Sequence, residues 1–74
     1  MHPSITGMLK SFRFDHLPEG RIQDTSKLFH NLAWRLAEEV PSSADVTHGL
    51  RKLWDAKNVF VYAVAEDERE KKEA

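Results

Sequence analysis

The chain has 74 residues with 11 basic and 12 acidic side chains, a formal net charge of −1, and no cysteine. A domain this short buries a modest fraction of its surface, and without cysteine neither disulfides nor a thiolate metal site can stabilise it, so oligomerisation is the remaining usual route. The balanced charge does not favour a nucleic-acid polymer or a membrane as partner. No apolar run approaches the ~20 residues that span a bilayer, and no signal peptide is visible, so we expect a soluble, intracellular protein.

Residues 1–20 are expected to form an N-terminal arm and a turn. The first seven residues contain a proline and a glycine and are expected to be frayed or loosely packed. Residues 8–14 are compatible with either a short helix or an extended arm. Pro18 and Gly20 then predict a turn, because proline fixes φ and glycine permits unusual backbone angles.

A first long helix is predicted over residues 21–40. Its apolar side chains step by three and four residues, the spacing of one helical face: Leu28, Phe29, Leu32, Ala33, Leu36, Ala37 and Val40. Asp24 or Thr25 is expected to be the N-cap, and Pro41 is expected to end the helix because proline disfavours helical geometry in the residue before it.

A second long helix is predicted over residues 44–70, capped by Ser42 or Ser43, with a charged tail at 71–74. The break between the helices is so short that they should fold back on each other as an antiparallel αα-hairpin. Gly49 interrupts the second helix at a cost of roughly 1 kcal/mol relative to alanine. The predicted fold is therefore all-α, a hairpin with a short N-terminal arm or helix.

The segment Val59–Ala65 is apolar on every face. Its β-branched and aromatic residues favour a strand by propensity alone. A lone strand would need a partner strand, and the chain offers no good second candidate, so helix is the preferred prediction. A helix that is apolar all round must be covered on all sides, which predicts a compact homo-oligomer.

Few residues suggest catalysis or metal binding. The four histidines, at positions 2, 16, 30 and 48, do not have the spacing of a metal site, and scattered surface or hydrogen-bonding histidines are expected instead. The chain contains no nucleophile elbow, glycine-rich phosphate loop or paired-carboxylate motif. We therefore expect no enzyme activity, no cofactor and no metal.

The segment Phe12–His16 alternates aromatic rings with a cation and an imidazole, the combination that stacks on a base and holds a phosphate. The other interpretation is that both phenylalanine rings cover the hairpin while Arg13 is solvated. The first long helix also has a basic and aromatic surface formed by Lys27, His30, Trp34 and Arg35. The tryptophan ring itself is expected to pack under the N-terminal arm.

Several of these features follow one another along the chain in an order that covers most of its length. They are Phe14-Asp15-His16-Leu17-Pro18, then His30 with Ala33, Leu36 and Ala37, then Pro41-Ser42-Ser43, then Thr47, Leu50, Leu53 and Ala56, and finally Val59–Ala65. This order resembles the hairpin domain of the phage anti-CBASS cyclic-nucleotide sponges, which is related to a hairpin in larger phage sponges that antagonise Thoeris defence. The family pattern has a contiguous aromatic-His-Pro segment, a Pro-x-Ser break and an alanine-rich end.

The chain departs from that pattern in two places. The aromatic-His-Pro segment is not contiguous, so either Phe14 or His16 takes the position of the base-stacking aromatic. The apolar end is bulkier than in the family, and the basic residue expected near it is replaced by Glu66, with Arg69 the nearest cation.

The resemblance implies a homo-oligomer, hexameric in the family, that binds cyclic di- or trinucleotides between subunits without cleaving them. It implies base stacking or edge contact by Phe14 and His16 and phosphate contacts by Lys27 and His30. Further ligand contacts are expected from Arg13, Thr25 and Arg69. The function so implied is suppression of CBASS defence in the cytoplasm of an infected bacterial host.

Two other functions are compatible with the sequence. A small helical oligomer could be an adaptor that binds another protein through the apolar surface of its second long helix. A nucleic-acid-binding hairpin is the third interpretation, and the net charge of −1 argues against it.

Overall fold

The computed structural model describes residues 2–73, with side chains described for residues 2–71. It contains three helices, α1 (Pro3–Leu9), α2 (Arg21–Glu39) and α3 (Ala44–Glu73). No residue of this described part lies in a strand. The prediction of an all-α fold is therefore confirmed for the described residues.

Helix α1 corrects the expectation that the first residues are frayed or loosely packed. Pro3 occupies the first helical turn, where its missing N–H costs no hydrogen bond, and the His2 side chain accepts a hydrogen bond from the Ser4 N–H. Ile5 and Leu9 lie four residues apart on one face, and both are buried. This short helix is held in place by few apolar residues, because its buried face packs against α2 and α3.

Helix α2 begins at Arg21, and its cap differs from the prediction. Gly20 is the N-cap residue and has no side chain to cap the helix. Its backbone φ of 120° is one that residues other than glycine rarely adopt. The predicted caps Asp24 and Thr25 lie within the helix. The end of α2 agrees with the reasoning from proline, since Val40 before Pro41 has left the helical conformation, with ψ of 131°.

Helix α3 is 30 residues long, about 45 Å at 1.5 Å per residue. The Ser43 hydroxyl accepts a hydrogen bond from the Val46 N–H at its start, as an N-cap does. The helix continues without interruption through residues 59–65, so the helical prediction for this segment is confirmed. It extends to Glu73, three residues beyond its predicted end, and Ala74 lies outside the described residues.

The first half of α2 lies beside the second half of α3. The Arg21 guanidinium donates to the Asp67 carboxylate across 2.7 Å, and the Phe29 and Phe60 ring centroids are 5.8 Å apart. The Asp67 pKa is lowered, first by this hydrogen bond and then by the one from Lys71. Because both partners of the Arg21–Asp67 pair are exposed, we assign it a small part of the stability.

The core is built around the segment that follows α1. Its buried apolar side chains are Ile5, Leu9, Phe12, Ala33, Ala37 and Leu50. Phe12 is the largest fully buried side chain in the described part of the chain. The buried residues of α2 are small, Ser26, Ala33 and Ala37, which leaves space for Phe12 and α1.

Two surfaces of α2 flank this buried stripe. We name the surface with Lys27, His30 and Trp34 the basic-aromatic flank, since these residues are three and four positions apart. We name the surface with Leu28, Leu32, Leu36 and Val40 the apolar flank. The four apolar side chains are between 39% and 69% exposed, although the sequence placed them in one stripe with the buried alanines.

Lys57 lies in the middle of α3 with most of its side chain buried, while its ammonium group retains contact with solvent. Only 7% of its surface is exposed, and burial lowers its pKa. Within residues 2–71, no carboxylate lies within ion-pair distance of its ammonium group. Removing this charge should therefore cost the folded state little.

Candidate functional site

The candidate site lies where residues 12–14 cross the basic-aromatic flank of α2. Two side chains of α2 hold this segment by its backbone. The His30 Nδ1 is 2.9 Å from the Phe12 carbonyl oxygen, and the buried Ser26 hydroxyl donates to the Arg13 carbonyl at 3.0 Å. These contacts satisfy carbonyl groups that lie outside any helix, and they fix the position of the next side chain, Phe14.

Phe14, Lys27 and His30 form a compact cluster, which we name the Phe14 cluster. The Phe14 and His30 ring centroids are 4.9 Å apart, with the ring planes at 73°. The Lys27 ammonium lies 5.6 Å from the Phe14 ring centroid, within the range of a cation–π interaction. The cluster therefore combines a fixed aromatic ring, a cation and an imidazole.

The hydrogen bond to Phe12 determines which nitrogen of His30 carries a proton. A carbonyl oxygen only accepts, so Nδ1 must be the donor. Within residues 2–71, the other ring nitrogen, Nε2, has no hydrogen-bond partner. In the neutral ring Nε2 accepts a hydrogen bond from a ligand, and in the charged ring it donates one, as a phosphate oxygen requires.

A cleft of about 430 Å³ adjoins the Phe14 cluster, and we name it the aromatic cleft. Its lining residues are Leu9, Lys10, Phe12, Arg13, Phe14, Asp15, His30 and Trp34. The volume lies in the range of small-molecule sites, which is about 300–1,000 Å³. The cleft therefore has aromatic walls and a mixture of charges at its edge.

The charges at the edge of the aromatic cleft are predominantly positive. Lys10 and Arg13 face one acid, Asp15, whose carboxylate is 3.6 Å from the Arg13 guanidinium. Both members of this pair are exposed, so the ion pair is weak and a ligand phosphate can displace Asp15. The electrostatics of the cleft therefore favour an anionic ligand.

Four residues that the sequence placed in the site are not among those that line the aromatic cleft. One of them, Lys27, lies over the Phe14 ring, and the other three lie farther away. His16 is exposed in the turn after the cluster. The Thr25 hydroxyl donates to the Arg21 carbonyl within its own helix at 2.7 Å. Arg69 pairs with Glu66 on α3, near the beginning of α2, where it lines a different cleft.

Five of the eight residues that line the aromatic cleft were not among the predicted site residues, and Trp34 and Lys10 are the two that offer an aromatic face or a cation to a ligand. Trp34 was expected to pack under the N-terminal arm, but it is 38% exposed and lines the cleft. Lys10 could not be placed from the sequence, because its position depends on where α1 ends. The sequence indicated that Trp34 shares a helical face with His30, because the two residues are four positions apart. Arg35, by contrast, turns away and pairs with Glu39 at 3.0 Å.

The described part of the chain has no group of three or more histidine, aspartate or glutamate side chains arranged to hold a metal ion. None of its helices combines the length and the apolar content that crossing a bilayer requires. Comparison with known proteins finds no matching family model, curated protein or solved structure. The site is therefore interpreted from its own geometry.

Proposed function

We propose that this protein binds and sequesters cyclic oligonucleotide second messengers, cyclic di- or trinucleotides, without cleaving them. The observation that carries the proposal is the Phe14 cluster, in which the Phe14 and His30 rings line one cleft with Arg13 at its edge while the Lys27 ammonium lies over the Phe14 ring. Aromatic side chains stack on bases, and charge-assisted hydrogen bonds hold phosphates. A cyclic oligonucleotide presents both groups within a small, anionic molecule.

The roles of the site residues follow from their positions. Lys27 and His30 are one helical turn apart and supply phosphate contacts, and Arg13 supplies a third at the edge of the cleft. Phe14 contributes an aromatic surface. His16, Thr25 and Arg69 lie away from the cleft within one chain, so any contact from them requires a second copy of the protein.

Assembly into a homo-oligomer of αα-hairpins is the second part of the proposal. The apolar flank of α2 continues into an apolar cleft of about 660 Å³ whose lining includes Leu36, Val40, Gly49, Leu53 and Ala56. Val59, Phe60 and Tyr62 of α3 are also exposed in the single chain, between 57% and 67%. So much exposed apolar surface marks an interaction site, and we expect the covering partner to be another copy, with a hexamer as the expected assembly.

A two-fold contact between copies suits the proposed ligand. A cyclic dinucleotide has two bases and two phosphodiesters, and a two-fold axis supplies every aromatic and every cation twice. Release from such a site would be slow, because the ligand would be enclosed by both copies. Sequestration in the cytoplasm of an infected bacterium would keep a CBASS-type immune effector inactive, and no catalytic group is needed for it.

The test is isothermal titration of the purified protein with cyclic di-AMP, cyclic di-GMP, cyclic GMP-AMP and a cyclic trinucleotide. The bound ligand is then challenged with nuclease and recovered by denaturing the protein. We expect tight binding and intact ligand. Lys27→Ala and His30→Ala should each weaken binding about tenfold or more, since a hydrogen bond to a charged group contributes about 1.5–3 kcal/mol.

Arg35→Ala is the matched control, because it removes a cation of the same helix that pairs with Glu39 outside the cleft. It should bind as the unmodified protein does. No heat with any of the four ligands would refute the proposal. Binding to long DNA with a steep salt dependence would instead support the nucleic-acid interpretation.

A protein-binding adaptor is the second candidate, and the exposure of Val59, Phe60 and Tyr62 favours it. This function predicts no affinity for nucleotides. It also predicts that Phe60→Asp abolishes the interaction with the partner protein, whereas Lys27→Ala does not affect it. The titration therefore separates the two candidates before any partner is known.

A further inference from the structure

The geometry points to Trp34 as the base-stacking surface of the aromatic cleft, with Phe14 acting as the residue that positions Lys27 and His30. This inference rests on the proposed function and deepens it. From the sequence, the Trp34 ring was expected to pack under the N-terminal arm. The reasons are the contacts that each ring already makes and how exposed each ring is.

The Phe14 ring is engaged by two protein groups. The Lys27 ammonium lies over it, 5.6 Å from its centroid, and the His30 ring meets it at 73° with the centroids 4.9 Å apart. The side chain is also half-buried. A base that stacked on the face under Lys27 would have to displace that cation from the aromatic surface. Phe14 is therefore better suited to hold the two phosphate-binding side chains in place.

The Trp34 ring is less engaged. Its one aromatic neighbour within residues 2–71 is His30, with the centroids 6.2 Å apart and the planes tilted by 49°. Trp34 is 38% exposed, and it lines the aromatic cleft beside Arg13 and His30. A large aromatic face thus lies at the wall of the cleft, next to an imidazole nitrogen and a guanidinium.

The spacing of these groups suits a nucleotide. His30 lies between Trp34 and the Phe14–Lys27 pair, with ring centroids 6.2 and 4.9 Å away. A base on Trp34 would therefore place its attached phosphate toward His30 and Lys27. The Nδ1 atom of His30 is hydrogen-bonded to the Phe12 carbonyl, so Nε2 is the ring nitrogen that a ligand can contact, whether the ring is neutral or charged.

The experiment uses the two tryptophans of the chain. Trp54 packs against the core and does not line the aromatic cleft, so Trp54→Phe leaves Trp34 as the single indole reporter. The variant is titrated with cyclic di-AMP, cyclic di-GMP and cyclic GMP-AMP while both heat and tryptophan emission are recorded. Stacking of a base on Trp34 should change the emission with the same midpoint as the heat.

Substitution at the same position gives a second measurement. Trp34→Leu should weaken binding by about 5- to 150-fold, because stacking contributes roughly 1–3 kcal/mol per base. Trp34→Phe keeps an aromatic face and should retain more affinity than the leucine variant. Trp54→Phe is the matched control and should bind as the unmodified protein does. Circular dichroism of each variant verifies that it is folded.

The outcomes separate the inference from the proposed function. Heat of binding without any change in Trp34 emission would overturn the stacking role of Trp34 and leave the proposed function intact. Equal affinities of the leucine and phenylalanine variants would overturn it as well. Absence of heat with these three ligands and with the cyclic trinucleotide would overturn both. If the leucine variant fails to fold, the emission experiment decides, since it keeps Trp34 unchanged.

Discussion

The two flanks of α2 lie on either side of the same buried stripe. They differ in how far their side chains are held in place by contacts within the chain. On the basic-aromatic flank, Lys27 and His30 contact Phe14, and His30 is hydrogen-bonded to the backbone of Phe12. On the apolar flank, Leu28 and Leu32 are 69% and 46% exposed. One flank is thus organised within the chain, whereas the other exposes apolar surface that another molecule would bury.

This difference makes the two flanks suited to different kinds of partner. Side chains held by hydrogen bonds and ring contacts are suited to bind a small ligand, because little conformational entropy remains to be lost. Exposed leucines on one helical face are suited to protein association, in which burial of apolar surface supplies the driving force. Substitutions in the core and on the apolar flank test this division.

Phe12→Ala should have the largest effect, because Phe12 is the largest fully buried side chain of the described residues and belongs to the core. Loss of a buried phenylalanine costs about 3–5 kcal/mol, which is a large part of the stability of a small domain. We expect extensive unfolding at room temperature, measured by circular dichroism during urea titration. Phe14→Ala is the matched control, since this ring is half-buried, and it should cost less. An equal or smaller loss for Phe12→Ala would contradict the central position of Phe12.

Leu32→Glu should dissociate the assembly while the chain stays helical. A carboxylate on the apolar flank would have to be buried in the interface, which is strongly unfavourable. Analytical ultracentrifugation should give an oligomer for the unmodified protein and a smaller species for the variant. Asn31→Glu introduces the same charge on the neighbouring exposed position and should keep the oligomer. A monomeric unmodified protein at high concentration would refute self-association through this flank.

Lys57→Met should stabilise the protein at neutral pH, by on the order of 1 kcal/mol or less, because it removes a partly desolvated cation and keeps a similar volume. The folded-state pKa of Lys57 is lowered, so the unfolded chain binds more protons at alkaline pH. The stability of the unmodified protein therefore rises as pH increases through the folded-state pKa toward about 10.4, the unfolded value. Urea titrations at pH 7 and 10 should show the two proteins converging, and a constant difference would contradict this account.

The helical class and the approximate helix positions were predictable because they depend on local rules. Apolar residues three and four apart predicted α2, and Pro41 with the serines after it predicted the break. The helical state of residues 59–65 also followed, because a single strand has no partner. The cap at Gly20 was missed, since glycine gives no side-chain signal and its φ of 120° is a property of the folded turn.

The candidate site was partly predictable for the same reason. Lys27 and His30 share a helical face in any α-helix, so the sequence placed them together. Their contact with Phe14 depends on how residues 12–14 cross α2, which is decided by hydrogen bonds between residues 13 to 18 positions apart. Trp34 was assigned to packing because the sequence does not tell on which side of α2 the N-terminal segment lies.

The sequence by itself determined that this protein is a set of helices with a wide apolar stripe on α2, because helical periodicity and proline geometry act within a few residues. Only the tertiary structure decided how that stripe is divided. The small residues Ala33 and Ala37 are covered by the chain, and the leucines beside them stay exposed. The physical reason is steric, since the rest of the core can approach α2 closely only over small side chains.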